Sequence, residues 1–589
     1  MNRNKINFCG TTVAMWLLVF LGHGQEVLRE YAAIPQERIF VHSNSSLLFS
    51  GERLYYSIHC KDARTGHKSH WSQIAYMELI GDLGQLVLRQ KIRLKQGIGQ
   101  GDFFIPAQIP TGSYKMVGYT NWMKNEGPKN FYWSDIYIVN PYLATDPRYL
   151  KKESLDTAQV ANMHSQGSAM VPKHEAGASA GLLSLKIDGE MFSKRDKVIL
   201  KINVLDTSAI KGDYSISIKR REELVDYRPM GATEFMASLG GQNAKATIPD
   251  KDVFLPEARG ELISGKVVYK DGALPAESRT VVISLPGENF VLDMARTNRE
   301  GSFYFNLNGN YGDSDVIYQI LGDDRDLFSL SMDKHESPDY GEFSSSPFQL
   351  SEEFAALIRE RSIHSQIENA YGEVKIDSIL PNTAPAPFYR EVPLSYNLDD
   401  YTRFNGIDET MVEILDHVWM RKDEQGKRVF QVRPEEGEPD LGILPMVLVD
   451  GVVVQDHEGF LGYGAKKIQS VGVDRKSYLI GPTTFQGILS FKTVTGNFYK
   501  EYKNDYLVRD TLFKPEVLKK YHLQRGVVTG AQIPDFRYQL YWNPLFVPKT
   551  DETAIEFYTS DISGIFEVSL EGFAKNGTPV SLRTNFTVN

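Results

Sequence analysis

An Asp-Gly pair set between two short β-branched runs constrains this chain more than any other stretch. Met446 to Val449 is apolar, Asp450-Gly451 interrupts the run, and Val452 to Val454 leads straight back. A two-residue type I′ turn needs positive φ at both central positions, so the pair predicts a tight β-hairpin. Ile468 to Val473 alternates apolar with small or polar residues, as a half-buried strand does. Gly487 to Thr493 reads as a further strand, entered through a glycine.

Taken in this order, the residues from Pro445 to Thr493 resemble the plug domain of TonB-dependent outer-membrane receptors, a small α+β domain held inside a barrel of about 22 strands. The resemblance spans roughly a hundred residues from about Tyr401. The family's usual ending is replaced by Thr483-Thr484-Phe485-Gln486-Gly487-Ile488, and fewer than a hundred residues follow Thr493. A receptor barrel needs about 22 strands of about ten residues each, so the expectation is a plug-like domain without its barrel. Asp450, Gly451, Asp456 and His457 are its candidate partner contacts, with an ordinary polar loop as the other reading of Asp456-His457-Glu458.

A chain of 589 residues exceeds one core and implies several domains. An aromatic share of 11% favours strands. A net charge of -10 argues against generic nucleic-acid or anionic-membrane binding. Arg3 and Lys5, the apolar run Val13 to Leu21 and the small residues Gly22 and Gly24 predict a secretory signal peptide over 1–24. No later stretch reads as a transmembrane helix. Cys9 falls within the signal, which leaves Cys60 as the only cysteine of the mature chain. A large exported chain with no disulfide fits a bacterial envelope. Cys60 shares an alternating face with Leu54, Tyr56 and Ile58, and reads as a buried small hydrophobe rather than a reactive thiol.

The predicted fold is mainly β and multidomain: several immunoglobulin-like or macroglobulin-like β-sandwiches plus the one small α+β domain. Residues 25–142 carry strand runs at Leu54 to Cys60, Ile74 to Ile80, Gln85 to Leu94 and Ile136 to Val139. The run Ile109-Pro110-Thr111-Gly112-Ser113-Tyr114 resembles the turn that opens a late strand of macroglobulin-type domains. Residues 143–182 read as a linker, in which Asp156-Thr157-Ala158 resembles the O-glycosylation signal of Bacteroidota envelope proteins and makes Thr157 a candidate site. Val198 to Asp206 echoes Leu54 to Asp62, so 183–258 is expected to form a second sandwich of the same type.

Ile263 to Val268, Val281 to Leu285 and Thr297 to Phe305 resemble the carboxypeptidase-regulatory-like, transthyretin-type sandwich, placed at 259–330. A connector at 331–400 holds a helix from Ser351 to Tyr371, with Ser351 as N-cap and Phe354, Leu357 and Ile358 as its apolar stripe, and an extended stretch from Pro381 to Pro393. The plug-like domain at 401–520 opens with a helix from Asp408 to Trp419. Residues 521–589 resemble a further macroglobulin-type sandwich.

Chemistry is sparse. Macroglobulin relatives that trap proteases use a Gly-Cys-Gly-Glu-Gln thioester, which is absent from this sequence. There is no nucleophile elbow, phosphate loop or His-Glu-x-x-His helix. His59, His67 and His70 lack the spacing that would fix a third zinc ligand. Asp323-Asp324-Arg325-Asp326 lacks the glycine and glutamate of a calcium loop and reads as a solvated turn. Trp122, Trp133 and Trp542 are either binding anchors or core and edge cover. No catalytic, cofactor or metal residue is assigned.

The resemblances together imply a non-enzymatic periplasmic scaffold or accessory subunit. It would dock on an outer-membrane β-barrel complex: a TonB-dependent-type transporter, a secretion translocon or the barrel-assembly machinery. The alternatives are an exported surface- or carbohydrate-binding protein and a metal-dependent enzyme.

Overall fold

The computed structural model describes residues 36–151, 181–225, 227–239, 253–287, 290–309, 311, 315–335, 337–340, 348–380, 392–524 and 533–589. The predicted signal peptide over 1–24, Thr157 and most of the predicted linker and of the proline-rich stretch lie outside these. The chain divides into two compact units: Met1–Ala258 with Ser337–Leu380 and Pro515–Asn589, and Arg259–Glu336 with Pro381–Lys514.

The first unit begins with a β-sandwich. One sheet holds Glu37–Ser43, Arg53–Asp62 and Ile98–Phe104. The other runs in the order Leu47–Phe49, Tyr132–Val139, Gly112–Tyr119, Ile74–Gly81, Leu86–Arg93. Ile39 pairs with Cys60 across the first sheet, and the alternation expected of a half-buried strand is present. Yet every residue of Glu37–Ser43 is buried. The reason is a second sandwich: the face carrying Phe40, His42, Ser57 and Lys61 is covered by it, through Phe40 on Phe573, Ser57 Oγ donating to Pro544 O at 2.7 Å, and the Lys61 ammonium 3.6 Å above the Phe573 ring.

That second sandwich corrects the expected domain order. Its three-stranded sheet is Glu552–Tyr558, Lys197–Val204 and Leu183–Ile187. Its five-stranded sheet is Met191–Phe192, Pro579–Val588, Gly564–Phe573, Asp213–Arg220 and Gln539–Phe546. Residues 183–258 and 521–589 therefore build one sandwich between them, not two. Neither segment has enough strands to close a core alone; together they bury Leu200, Ile216, Ile218, Phe557, Phe566, Val568 and Leu570.

The helix Ala355–Ala370 follows a 3-10 turn at Glu352–Phe354; Ser351 has the extended backbone of a cap, but its hydroxyl makes no capping bond. The stripe Phe354, Leu357 and Ile358 packs on Leu47, Phe49 and Tyr137, as the spacing predicts. Arg361, on the same helix, is 2% exposed and holds Glu52 at 2.8 Å and Glu222 at 2.7 Å, with Phe49 and Tyr538 against its guanidinium.

The second unit has a sandwich with sheets Ser302–Leu307, Glu261–Tyr269, Phe328–Met332 and Val291–Arg296, Thr280–Leu285, Asp315–Ile320, Val508–Thr511. The last strand was expected inside the plug-like domain. The sandwich instead recruits it, Ile317 pairing with Arg509. The mixed module has a five-stranded sheet ordered Leu394–Asn397, Ile468–Ile480, Thr483–Thr493, Met446–Val449, Val452–Val453. Met446–Val449 runs parallel to Thr483–Thr493, and the other pairings are antiparallel. The expected helix Asp408 to Trp419 is shorter: it spans Ile407–Ile414, His417 takes φ 65°, and Val418–Lys422 pairs with Arg428–Val432. Its apolar positions Met411, Leu415 and Val418 still enter one core, although the chain changes from helix to strand between them.

Among the described residues no helix is long and apolar enough to cross a membrane.

Candidate functional site

Of the four candidate contacts near the hairpin, Asp450, Gly451 and His457 are buried and Asp456 is half-buried. Asp450 and Gly451 take φ 47° and 84°, the two positive values that the turn demands. Asp450 is 8% exposed, and its carboxylate accepts from Thr493 N at 2.9 Å, Thr493 Oγ1 at 2.5 Å and Phe498 N at 3.1 Å. A Cβ on Gly451 would stand 2.3 Å from Phe290. Asp456 caps the helix His457–Leu461 by accepting from Gly459 N at 3.0 Å. His457 is buried, its Nδ1 accepts from Phe430 N, and burial pulls its pKa down to about 4. The groups of these four candidate partner contacts that the structure describes are engaged in hydrogen bonds and packing within their own unit.

The other sequence candidates are also dispersed. Cys60 is fully buried, and burial first, then the neighbouring Glu37 carboxylate, pushes its thiol well above the ordinary range. His59 lies in the seam between the sandwiches, flanked by Phe40 and Phe573, whereas His67 and His70 are exposed. Asp323, Asp324 and Asp326 are exposed, with Asp324 paired to Arg279. Among the described residues no three His, Cys, Asp or Glu side chains stand together as metal ligands. Trp122 is buried, and Trp133 donates its Nε1–H to Pro128 O.

Trp542 is different. It lines a cleft of about 510 Å³ in the first unit, within the range of about 300–1,000 Å³ usual for small-molecule sites. Trp542 stands opposite Ser217, on the face of Gln539–Phe546 that meets His42 and Tyr55 of the first sandwich, while register shifts on either side place Leu540 and Phe546 in the core of the second. Tyr55 comes from Arg53–Asp62, and Asp377, Tyr521 and His522 flank the small sheet Ser378–Ile379 with Lys519–Lys520. Tyr55 stands edge-on to Tyr521 at 4.9 Å between centroids and stacks on Trp542 at 6.1 Å. Burial pushes the Tyr55 and Tyr521 phenols up and Tyr538 to about 12, and it lowers His522, so all four are neutral near pH 7.

The charges around the cleft are matched. Lys375 pairs with Glu368, Arg537 with Asp535, and Arg53 and Lys519 both with Asp102. Lys219 donates to Ser45 and stands with Arg361 against Glu222 and Glu52. Burial alone would raise Glu222; the Arg361 and Lys219 charges overcome it and hold the carboxyl below its usual range. Phe536 to Trp542 could be read in the sequence as an aromatic strand, but Asp377 and His522 had no signal, because only pairing between distant segments brings them here.

No protein family and no curated protein matches the sequence. Among solved structures, Salmonella α2-macroglobulin reacted with methylamine aligns over 94% of this chain and 39% of its own, at 7% identity and a TM-score of 0.22. The native conformation of Escherichia coli α2-macroglobulin aligns over 95% and 40%, at 8% and 0.23. Dimeric latent PorU from Porphyromonas gingivalis aligns over 51% and 34%, at 10% and 0.15. The chain spans about two fifths of the length of these macroglobulins.

Proposed function

We propose that this chain is a non-enzymatic accessory subunit of the bacterial envelope, which docks on an outer-membrane β-barrel complex through its mixed α+β module. The observation that carries the reading is how that module fills both faces of its sheet. Val447, Val449, Val452, Leu489 and Phe491 face a core shared with the helices. Met446, Leu448, Val453 and Ile488 face Val282, Phe290 and Met294 of the adjoining sandwich. The sheet thus packs on a sandwich of its own chain, which supports reading the module as a plug that stands without a barrel wall. Val412 and Leu479 remain exposed on the module, as apolar surface for a partner.

Affinity purification of the full chain from native membranes in mild detergent tests the proposal. A barrel protein is expected to co-purify in stoichiometric amount. Recovery of the chain as a lone monomer overturns it.

A further inference from the structure

We infer that the cleft around Trp542 in the first unit binds an uncharged saccharide. The proposal is independent of docking by the mixed module. Trp542 is 7% exposed, and its indole Nε1–H has no hydrogen-bond partner among the described residues. An indole N–H only donates, so what it lacks is an acceptor oxygen.

The Asp377 carboxylate accepts from His522 N at 2.8 Å and makes no ion pair among the described residues. It only accepts, so its remaining capacity suits a hydroxyl donor. His522 Nε2 is a second buried nitrogen on the same cleft without a partner among the described residues. A ligand that serves these groups carries both accepting and donating oxygens on one small frame.

The remaining wall asks for an apolar ring face. Tyr55 and Tyr521 offer aromatic surface, and Ile376 and Ile379 form an exposed lip to the cleft. The charge pattern removes ionic ligands from consideration. Lys375 and Arg537 are paired with carboxylates, Arg53 and Lys519 share Asp102, and Lys219 and Arg361 stand against Glu222 and Glu52, so a carboxylate or phosphate ligand would compete with carboxylates already in place. A sugar ring has hydroxyls around its edge, a C–H face for the aromatic rings and no charge to neutralise.

The test is a glycan array carrying neutral oligosaccharides and matched uronic-acid and sulfated ones, probed with the full chain; hits are then titrated by calorimetry. At least one neutral glycan is expected to bind saturably. Trp542→Phe, which keeps a ring and removes the N–H, and Asp377→Asn, which keeps the size and removes the charge, are each expected to weaken it by about fivefold or more at unchanged melting temperature. If Trp542→Phe fails to fold, Asp377→Asn, on a half-exposed segment, decides alone. The inference is overturned by no neutral hit, by preference for the charged glycans, or by a smaller effect in either folded variant.

Discussion

Asp450 performs two tasks that a turn residue seldom combines. Its backbone takes the positive φ that closes the hairpin, and its carboxylate gathers donors from the end of the neighbouring strand and the turn after it. Asp450→Ala should therefore cost about 2–4 kcal/mol in urea unfolding, since two backbone N–H groups lose their acceptor and alanine lacks the polar side chain that lets aspartate tolerate the left-handed conformation. Asp450→Gly should be milder by about 1 kcal/mol, because it relieves the second problem alone.

His42 makes a pH prediction. Its two ring nitrogens bond to Ser215 Oγ and Ser569 Oγ in the seam between sandwiches. Burial, reinforced by the Arg583 charge, pulls its pKa down to about 3. Between about pH 6.5 and 3 the unfolded chain takes up a proton that the folded chain refuses. The neutral form's stability is thus complete above about 6.5 and lost as pH falls through that window, by about 1.4 kcal/mol per unit. The urea midpoint of the first unit should drop accordingly between pH 7 and 5, and His42→Gln should flatten the slope. Turn chemistry of the Asp450 kind is legible in sequence because it depends on two adjacent residues. The burial of His42 is not, because it depends on a sheet formed elsewhere.

At the scale of elements, the helix Ala355–Ala370 works as a bracket. Its apolar stripe grips the first sandwich, and Arg361 ties that sandwich's Glu52 to Glu222 beside the second. Removing the arginine would strand two carboxylates, so Arg361→Ala should destabilise by about 3–5 kcal/mol. Changing Arg361 to Met together with Glu52→Gln and Glu222→Gln should restore part of the loss, and denaturant unfolding of both variants distinguishes the cases. The stripe was readable from its spacing, whereas nothing in the sequence marks Arg361. Its partner Glu52 is 309 residues away in sequence, beyond any local pattern. The same limit explains the misread helix end at Val418: apolar spacing continued to fit a helix after the backbone had turned into a strand.

For the whole molecule, the decisive fact is that the second sandwich is built from two segments far apart in the chain, 183–220 and 539–588. Asp213–Arg220 lies between Gly564–Phe573 and Gln539–Phe546. A chain truncated after Lys514 should lose the second sandwich as well as its last residues, leaving Leu183–Ile187, Lys197–Val204 and Asp213–Arg220 open to proteolysis while the first sandwich resists. Were 521–589 a separate domain, trypsin would leave 183–220 intact. Individual strands of this sandwich were legible from alternation; their partnership was not, since two half-sandwiches and two whole ones share the same local pattern.

That shared sandwich also sets a timetable. Ser215 Oγ bonds to Glu571 O, 356 positions later. A polypeptide emerging N-terminus first must hold an unmated strand edge at Asp213–Arg220 until Gly564–Phe573 has been delivered, while the intervening modules are free to mature. Premature termination would therefore release a sticky intermediate rather than a shorter working protein, and escort of the nascent chain, not the intrinsic stability of the finished fold, would govern its yield.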